Sequence, residues 1–221
     1  MGDFGSLEAV IWDMDGVIVD SELSHFISWR EVFSKENIQI SEDKLRETFG
    51  MTSPQVVREI LGQDVSQEHA QEISQEKEKI FRSLIKEEAE FLPSVEEWLQ
   101  KFKESGILQA LASSGSQKNI DSVLNALDAR RFFEKVVSGM GMPSKPAPDV
   151  FLLAAEKLDV VPGNCLVIED SIAGVSAAKS AGMKCLAVTT TNTAGKLGKA
   201  DLILDSLELL TQEKLKSLFS K

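Results

Sequence analysis

Hydrophobic and polar positions along the chain follow two alternating periods. Leu7 to Trp12 is a short apolar run ending in Asp13-Met14-Asp15-Gly16. Charges set at the end of a buried strand belong at the rim of a sheet. From Ser21 the period lengthens, and Leu23, Phe26, Ile27 and Phe33 fall near helical spacing. Ser53-Pro54 predicts an N-cap and first helical position, with Val56, Val57, Ile60 and Leu61 behind them and Gly62 as the stop. Ser66 to Glu90 is charge-rich, with a thin apolar stripe of Ile73, Ile80, Phe81 and Leu84. Nothing between residues 22 and 89 reads as a strand, so this stretch is a helical insert.

Strand signals resume after Pro93. Val95, Trp98, Leu99 and Phe102 form one helix face stopped by Gly106, and Ile107 to Ala112 reads as a strand. Further strands are predicted near Val136, at Leu166 to Ile168, at Cys185 to Val188 and at Leu202 to Leu204. Helical patterns lie between them (Ile120 to Leu127, Phe151 to Leu158, Ser171 to Ala181), and a last helix is expected near Gln212. Strands alternating with helices predict βαβ units: an α/β fold with a parallel sheet and helices on both faces. The expected division is a core of residues 1–21 and 90–221 and a helical cap of residues 22–89.

Composition narrows the class. The 221 residues are 43% hydrophobic and 27% charged, an ordinary globular balance. No apolar run reaches the ~18 residues a membrane-spanning helix needs. Met1 to Leu7 lacks the basic and apolar regions of a secretory signal. Its Met1-Gly2-x-x-x-Ser6 pattern formally fits an acylation site, but so loose a pattern recurs by chance. A net charge of −11 is a poor balance for gripping a nucleic-acid backbone. Cys165 and Cys185 sit in apolar runs without metal-ligand spacing, which reads as a reduced cytoplasmic protein without structural zinc. No nucleic-acid or membrane partner is expected. Oligomeric state is not legible; a monomer is the default expectation.

Four short segments follow an apolar strand or open a helix: Asp13-Met14-Asp15-Gly16, Ser113-Ser114-Gly115, Ser144-Lys145-Pro146 and Glu169-Asp170. In a parallel sheet the strands' carboxyl ends share one edge, so three of these segments converge there and Lys145 can reach it. Asp13, Asp15, Glu169 and Asp170 would then bring four carboxylates into one small volume. Their repulsion raises pKa values unless a cation relieves it, and Mg²⁺ suits a few carboxylates plus water and phosphate. The Ser113 hydroxyl and the backbone N–H groups from Ser114 to Ser116 are donors for an anion. A metal, an anion cradle and a spare carboxylate together describe phosphoryl transfer. Each segment alone has a plainer reading as a turn, a helix cap, a solvated loop lysine or an acidic first helical turn. Their joint occurrence argues against all four.

Asp-x-Asp-Gly after a strand, a strand-terminal Ser, Lys-Pro-x-Pro-Asp, and Glu-Asp before a Gly/Ala-rich helix resemble the four motifs of the haloacid dehalogenase superfamily, in order from Asp13 to Asp170. The run Val167-Ile168-Glu169-Asp170-Ser171-Ile172-Ala173-Gly174 is similar to the branch of sugar phosphatases and β-phosphoglucomutases. The resemblance implies a Rossmann-like parallel-sheet core with an inserted α-helical cap. It also implies Asp13 as nucleophile and Asp15 as general acid and then base. Ser113, the Ser114 amide, Gly115 and Lys145 would hold phosphate oxygens. Mg²⁺ would be held by Asp13, the Asp15 carbonyl and Asp170, with Glu169 near or in the shell.

Two acceptors for the phosphoryl group stay open: water, or a hydroxyl of a phosphorylated sugar held by the cap. The mutase pattern carries Gly-Val-Ser-Arg, whose arginine binds a second phosphate. The matching run Gly50-Met51-Thr52-Ser53 has serine there, and serine cannot replace a charged bidentate clamp. His25 and Lys77 fall where the mutases also place His and Lys, and are candidate substrate contacts. Their plainer readings are a packing histidine beside Phe26, Trp29 and Phe33, and a solvated helix face. The insert holds 14 acidic against 9 basic residues, which disfavours a highly anionic substrate. The expectation is therefore hydrolysis of a small phosphorylated metabolite, a sugar or polyol monophosphate. A catalytically silent binding protein of the same fold is the third reading.

Overall fold

The computed structural model describes residues 4–48 and 51–220. Met1 and Gly2 of the acylation pattern, and Gly50 of the cap run, lie outside the described residues. In chain order the elements are β1 (Ala9–Trp12), α1 (Glu22–Lys35), α2 (Glu42–Arg46), α3 (Ser53–Leu61), α4 (Gln67–Glu88), α5 (Val95–Glu104), β2 (Leu108–Ser113) and α6 (Gln117–Ala126). Then follow β3 (Lys135–Ser138), α7 (Asp149–Leu158), β4 (Cys165–Glu169), α8 (Ile172–Ser180), β5 (Lys184–Val188), β6 (Leu202–Leu204) and α9 (Gln212–Phe219), with four short 3₁₀ turns between. Two compact units emerge: Met1–Asp20 with Glu90–Lys221, and Ser21–Ala89.

The larger unit is a six-stranded parallel sheet in the order β3-β2-β1-β4-β5-β6. This is the Rossmann order, in which the direction of winding reverses between β1 and β4. All four β1 residues are buried, as a strand paired on both edges and covered on both faces requires. Small side chains let helices sit close on the sheet. Ala9, Ala110, Ala112, Ala154, Ala155, Ala177 and Ala178 interleave with Ile11, Phe151, Val167 and Val175 in one core cluster. Truncating a residue such as Phe151 there is expected to destabilise by about 3–5 kcal/mol.

Register fixes what meets at the sheet's edge. Trp12 pairs with Ile168, and the Asp13 amide donates to the Ile168 carbonyl at 3.0 Å. Asp13 is therefore level with Glu169, one residue past the end of β1. On the other side Trp12 pairs with Leu111, which puts Ser113 one residue beyond Asp13's level. Beyond Asp13 the chain turns tightly: the Met14 carbonyl accepts from the amides of Ile18 and Val19, and Gly16 N–H donates to Val19 O at 2.8 Å.

The smaller unit is helical, with no strand among its described residues. Its core gathers Trp29, Val32, Phe33, Leu45, Val56, Val57, Ala70 and Ile73 from α1 to α4. Two local expectations need correction. Thr52, not Ser53, precedes α3, and its amide donates to Gln55 Oε1 at 2.8 Å, so Pro54 falls one position deeper in the helix. The short α2, capped by Ser41, escaped the periodicity reading because Leu45 is its one buried apolar residue.

Candidate active site

Three carboxylates meet where the winding reverses. Asp13, Glu169 and Asp170 each offer an oxygen, and these atoms all lie within 4.8 Å of one another. Each side chain is almost wholly buried. Lys145 reaches the group from the loop between β3 and α7. Its Nζ donates to Asp13 Oδ1 and to Glu169 Oε1 (2.7 Å), and lies 4.7 Å from the centre of the Phe151 ring.

The four groups differ in electrostatic setting. Burial pushes the Asp13 carboxyl up to about 7, with the Lys145 charge opposing and those of Glu169 and Asp15 adding to the rise. Burial, then the Glu169 and Asp13 charges, push Asp170 up to about 8. Burial would raise Glu169 too, but the Lys145 ion pair and hydrogen bonds from Ser171 hold it below its usual range. Lys145 is lowered by burial and raised by its two carboxylate partners, which win. Fully ionised, the set carries two negative charges in excess, matching a divalent cation. All its donors are carboxylate oxygens, the set a hard ion such as Mg²⁺ takes. The residues present therefore fit the metal.

Two glycines make this packing feasible. A Cβ on Gly174, in α8, would sit 1.7 Å from Glu169 Oε1 and 1.9 Å from its Cδ, so only glycine lets that carboxylate lie against the helix. Glu169 Oε2 there accepts the amides of Asp170 (2.8 Å) and Ser171 (2.7 Å) at the helix N-terminus. Gly16 has φ +75°, and a Cβ on it would meet Asp170 Oδ2 at 2.1 Å.

Several expected site residues take positions that refine the sequence reading. The Asp15 carboxylate is not part of the close group, so the four-carboxylate cluster becomes three among the described residues. The chain leaves the strand at Asp13, and Asp15 lies in the turn bridged to Val19, half-buried but close enough to raise Asp13. Ser113 ends β2 and is buried, and its Oγ accepts the Gly115 amide at 3.0 Å. That N–H, expected in the anion cradle, points at the serine instead because the loop tightens on itself. Ser114 is exposed beside it. Ser138 ties the same loop down, its Oγ donating to Gly115 O at 2.6 Å. Both oxygens of Glu169 are engaged, which makes it an anchor for Lys145 and for the start of α8.

In the helical unit Lys77 is not on a solvated face. It is 2% exposed, and its Nζ lies 2.8 Å from His25 Nδ1 and 3.1 Å from Glu78 Oε1, over the rings of Phe81 and Trp29. His25 is half-buried and stacks on Phe81 with centroids 4.1 Å apart. Ser53 Oγ donates to Glu78 Oε1 at 2.6 Å. Thr191, Asn192 and Glu78 escaped the sequence reading. Thr191 Oγ1 donates to Asp170 Oδ2 at 2.5 Å, but one threonine in the run Thr189 to Thr193 carries no spacing signal.

The profile of the haloacid dehalogenase-like hydrolases matches residues 10–188. The chain is 36% identical over 183 residues to a phosphorylated carbohydrates phosphatase of Thermotoga maritima, covering 80% of this chain and 83% of that protein. It is 34% identical over 217 residues to a β-phosphoglucomutase of Bacillus subtilis, covering 95% and 94%. The crystal structure of a β-phosphoglucomutase from Clostridium difficile superposes with a TM-score of 0.86 at 32% identity, over 96% of this chain and 97% of that one. The chain belongs to the haloacid dehalogenase-like hydrolases. Its relatives thus include both a phosphatase of phosphorylated carbohydrates and a β-phosphoglucomutase.

Proposed function

We propose that the protein is a Mg²⁺-dependent phosphatase that hydrolyses a small sugar or polyol monophosphate through an aspartyl-phosphate on Asp13. The observation that carries this reading is the meeting of Asp13, Glu169, Asp170 and Lys145 at the sheet's switch point. Asp13 and Asp170, with Glu169 beside them, would hold Mg²⁺, which when bound neutralises the carboxylates and the incoming phosphate. The Lys145 ammonium opposes burial and favours the ionised form of Asp13 that a nucleophile requires. A carboxylate oxygen of Asp13 attacks phosphorus, the bond to the sugar oxygen breaks, and Asp15 supplies that oxygen's proton. Water then attacks the same phosphorus as Asp15 takes a proton back, releasing inorganic phosphate and restoring Asp13. Asp15 suits both steps because it stands outside the carboxylate group that Lys145 pins. The Ser113 hydroxyl and the exposed Ser114 segment complete the anion contacts.

The mutase reading is supported by overall similarity to β-phosphoglucomutases, and a specific contact weighs against it. Ser53, standing where that pattern has arginine, is hydrogen-bonded to the Glu78 carboxylate. Serine tied to a carboxylate that is itself paired with Lys77 offers no bidentate cationic clamp for a second phosphate. His25 and Lys77 belong to the same polar group, supporting it from within the cap. A phosphate-release screen over sugar, polyol and nucleoside monophosphates tests the proposal, with β-glucose 1-phosphate plus a bisphosphate activator as the mutase arm. Release of phosphate from one or more monophosphates, abolished by EDTA, is expected. Isomerisation without release would overturn hydrolysis, and no turnover of any ester would favour a silent binding protein.

A further inference from the structure

The loop after β5 contributes a contact that the reaction scheme above leaves unused. Asn192 Nδ2 donates to Thr191 Oγ1 at 3.1 Å and lies 3.2 Å from the Asp170 carbonyl oxygen. Thr191 Oγ1 in turn lies 2.5 Å from Asp170 Oδ2 and 3.2 Å from the Asp170 carbonyl oxygen. A hydroxyl has one hydrogen to give. With the asparagine N–H directed at the hydroxyl oxygen, that hydrogen goes to the closer acceptor, the carboxylate. The result is a short directed chain from the Asn192 amide through the Thr191 hydroxyl to one oxygen of Asp170. Gly16 leaves room for that same oxygen: a Cβ there would meet Asp170 Oδ2 at 2.1 Å and the Thr191 methyl at 3.1 Å. That oxygen of the carboxylate is thus held by the Thr191 hydroxyl and packed closely against the Gly16 backbone.

We infer that Thr191, oriented by Asn192, is a positioning residue for Mg²⁺. By occupying one oxygen of Asp170 it presents the other to the ion in a single orientation. This rests on the metal reading given under Proposed function and assigns a role to residues outside its motifs. Outer hydrogen-bond partners of metal-binding side chains commonly alter metal affinity by about 10–100-fold. Thr191 is exposed, and valine keeps its shape and methyl while deleting the hydroxyl, so Thr191→Val is compatible with the fold.

The test is calorimetric titration of Mg²⁺ into the full chain without substrate, for wild type, Thr191→Val and Thr191→Ser. Thr191→Val is expected to bind Mg²⁺ at least about tenfold more weakly, and Thr191→Ser within about twofold of wild type. At saturating Mg²⁺ the kcat of Thr191→Val is expected to recover to within about threefold of wild type, because the hydroxyl touches no reacting atom. Equal Mg²⁺ affinity in wild type and Thr191→Val would overturn the inference while leaving the metal reading intact. So would a Thr191→Ser variant as weak as Thr191→Val. No Mg²⁺ binding by wild type would overturn both.

Discussion

Replacing Gly174 with alanine sets two calculable effects against each other. Alanine is the better helix former, and inside α8 that preference alone would stabilise by about 1 kcal/mol. Against it stands the new Cβ, 1.7 Å from a Glu169 oxygen where no real contact is shorter than about 3 Å. The carboxylate is no flexible tip that swings aside. It is 1% exposed and holds the Asp170 and Ser171 amides and the Lys145 ammonium, all within 2.8 Å. Moving it far enough breaks or stretches three hydrogen bonds with a charged partner, each contributing roughly 1.5–3 kcal/mol. Partial relaxation of the helix returns some of this, and the net expectation is destabilisation by about 3 kcal/mol. For a chain of this length that lowers Tm by about 6–12 °C. Lys145 also loses one of its two partners, so kcat/KM toward an aryl phosphate is expected to fall at least about a hundredfold. Thermal melting and steady-state kinetics read both effects. Gly163→Ala serves as the control, since a Cβ there meets nothing within 4 Å and the change should be neutral within about 0.5 kcal/mol. A Gly174→Ala protein melting at or above wild type would refute the steric argument and leave helix propensity in charge.

Further outcomes follow from the same site. In metal-free protein, folded Asp13 and Asp170 keep their protons to about 7 and about 8, whereas unfolded carboxyls release theirs near 3.8. The folded state therefore binds more protons across that window, and these two groups make stability fall as pH rises through it. Melts in EDTA at about pH 5 and about pH 8 should differ less for Asp170→Asn than for wild type, by up to about 4 kcal/mol; identical pH slopes would count against the buried repulsion. Lys77→Met should destabilise by about 2–4 kcal/mol in urea melts, because Glu78 and His25 lose a buried partner. A neutral result would return Lys77 to the surface face first read from its sequence.

The sheet was readable because β1, β4 and β5 carry apolar runs of four residues between polar turns, and β2 is apolar but for Gln109 and its terminal Ser113, a pattern fixed by burial on both faces. The positions of Asp13, Ser113 and Glu169 at strand ends followed from that pattern, and their motif spacing supplied the chemistry. Three-dimensional neighbours with no sequence period were not readable. Thr191 meets Asp170 across 21 residues, and Glu78 meets Ser53 across 25, through loop and helix packing alone. Lys77 looked solvent-facing amid charged neighbours, yet one helix face turns it inward onto Trp29 and Phe81. Asp15 was placed with the other carboxylates by proximity in sequence, but the turn closing on Val19 separates it from them.

The nucleophilic role of Asp13 bears the whole scheme, and chemical trapping of its phosphorylated form tests it most directly. Protein quenched during turnover and reduced with borohydride is expected to carry homoserine at position 13, found by peptide mass analysis, with none in Asp13→Asn. Asp13→Asn should also keep the wild-type fold while losing turnover. Reduction at another carboxylate, or an Asp13→Asn enzyme within about tenfold of wild-type activity, would contradict the assignment.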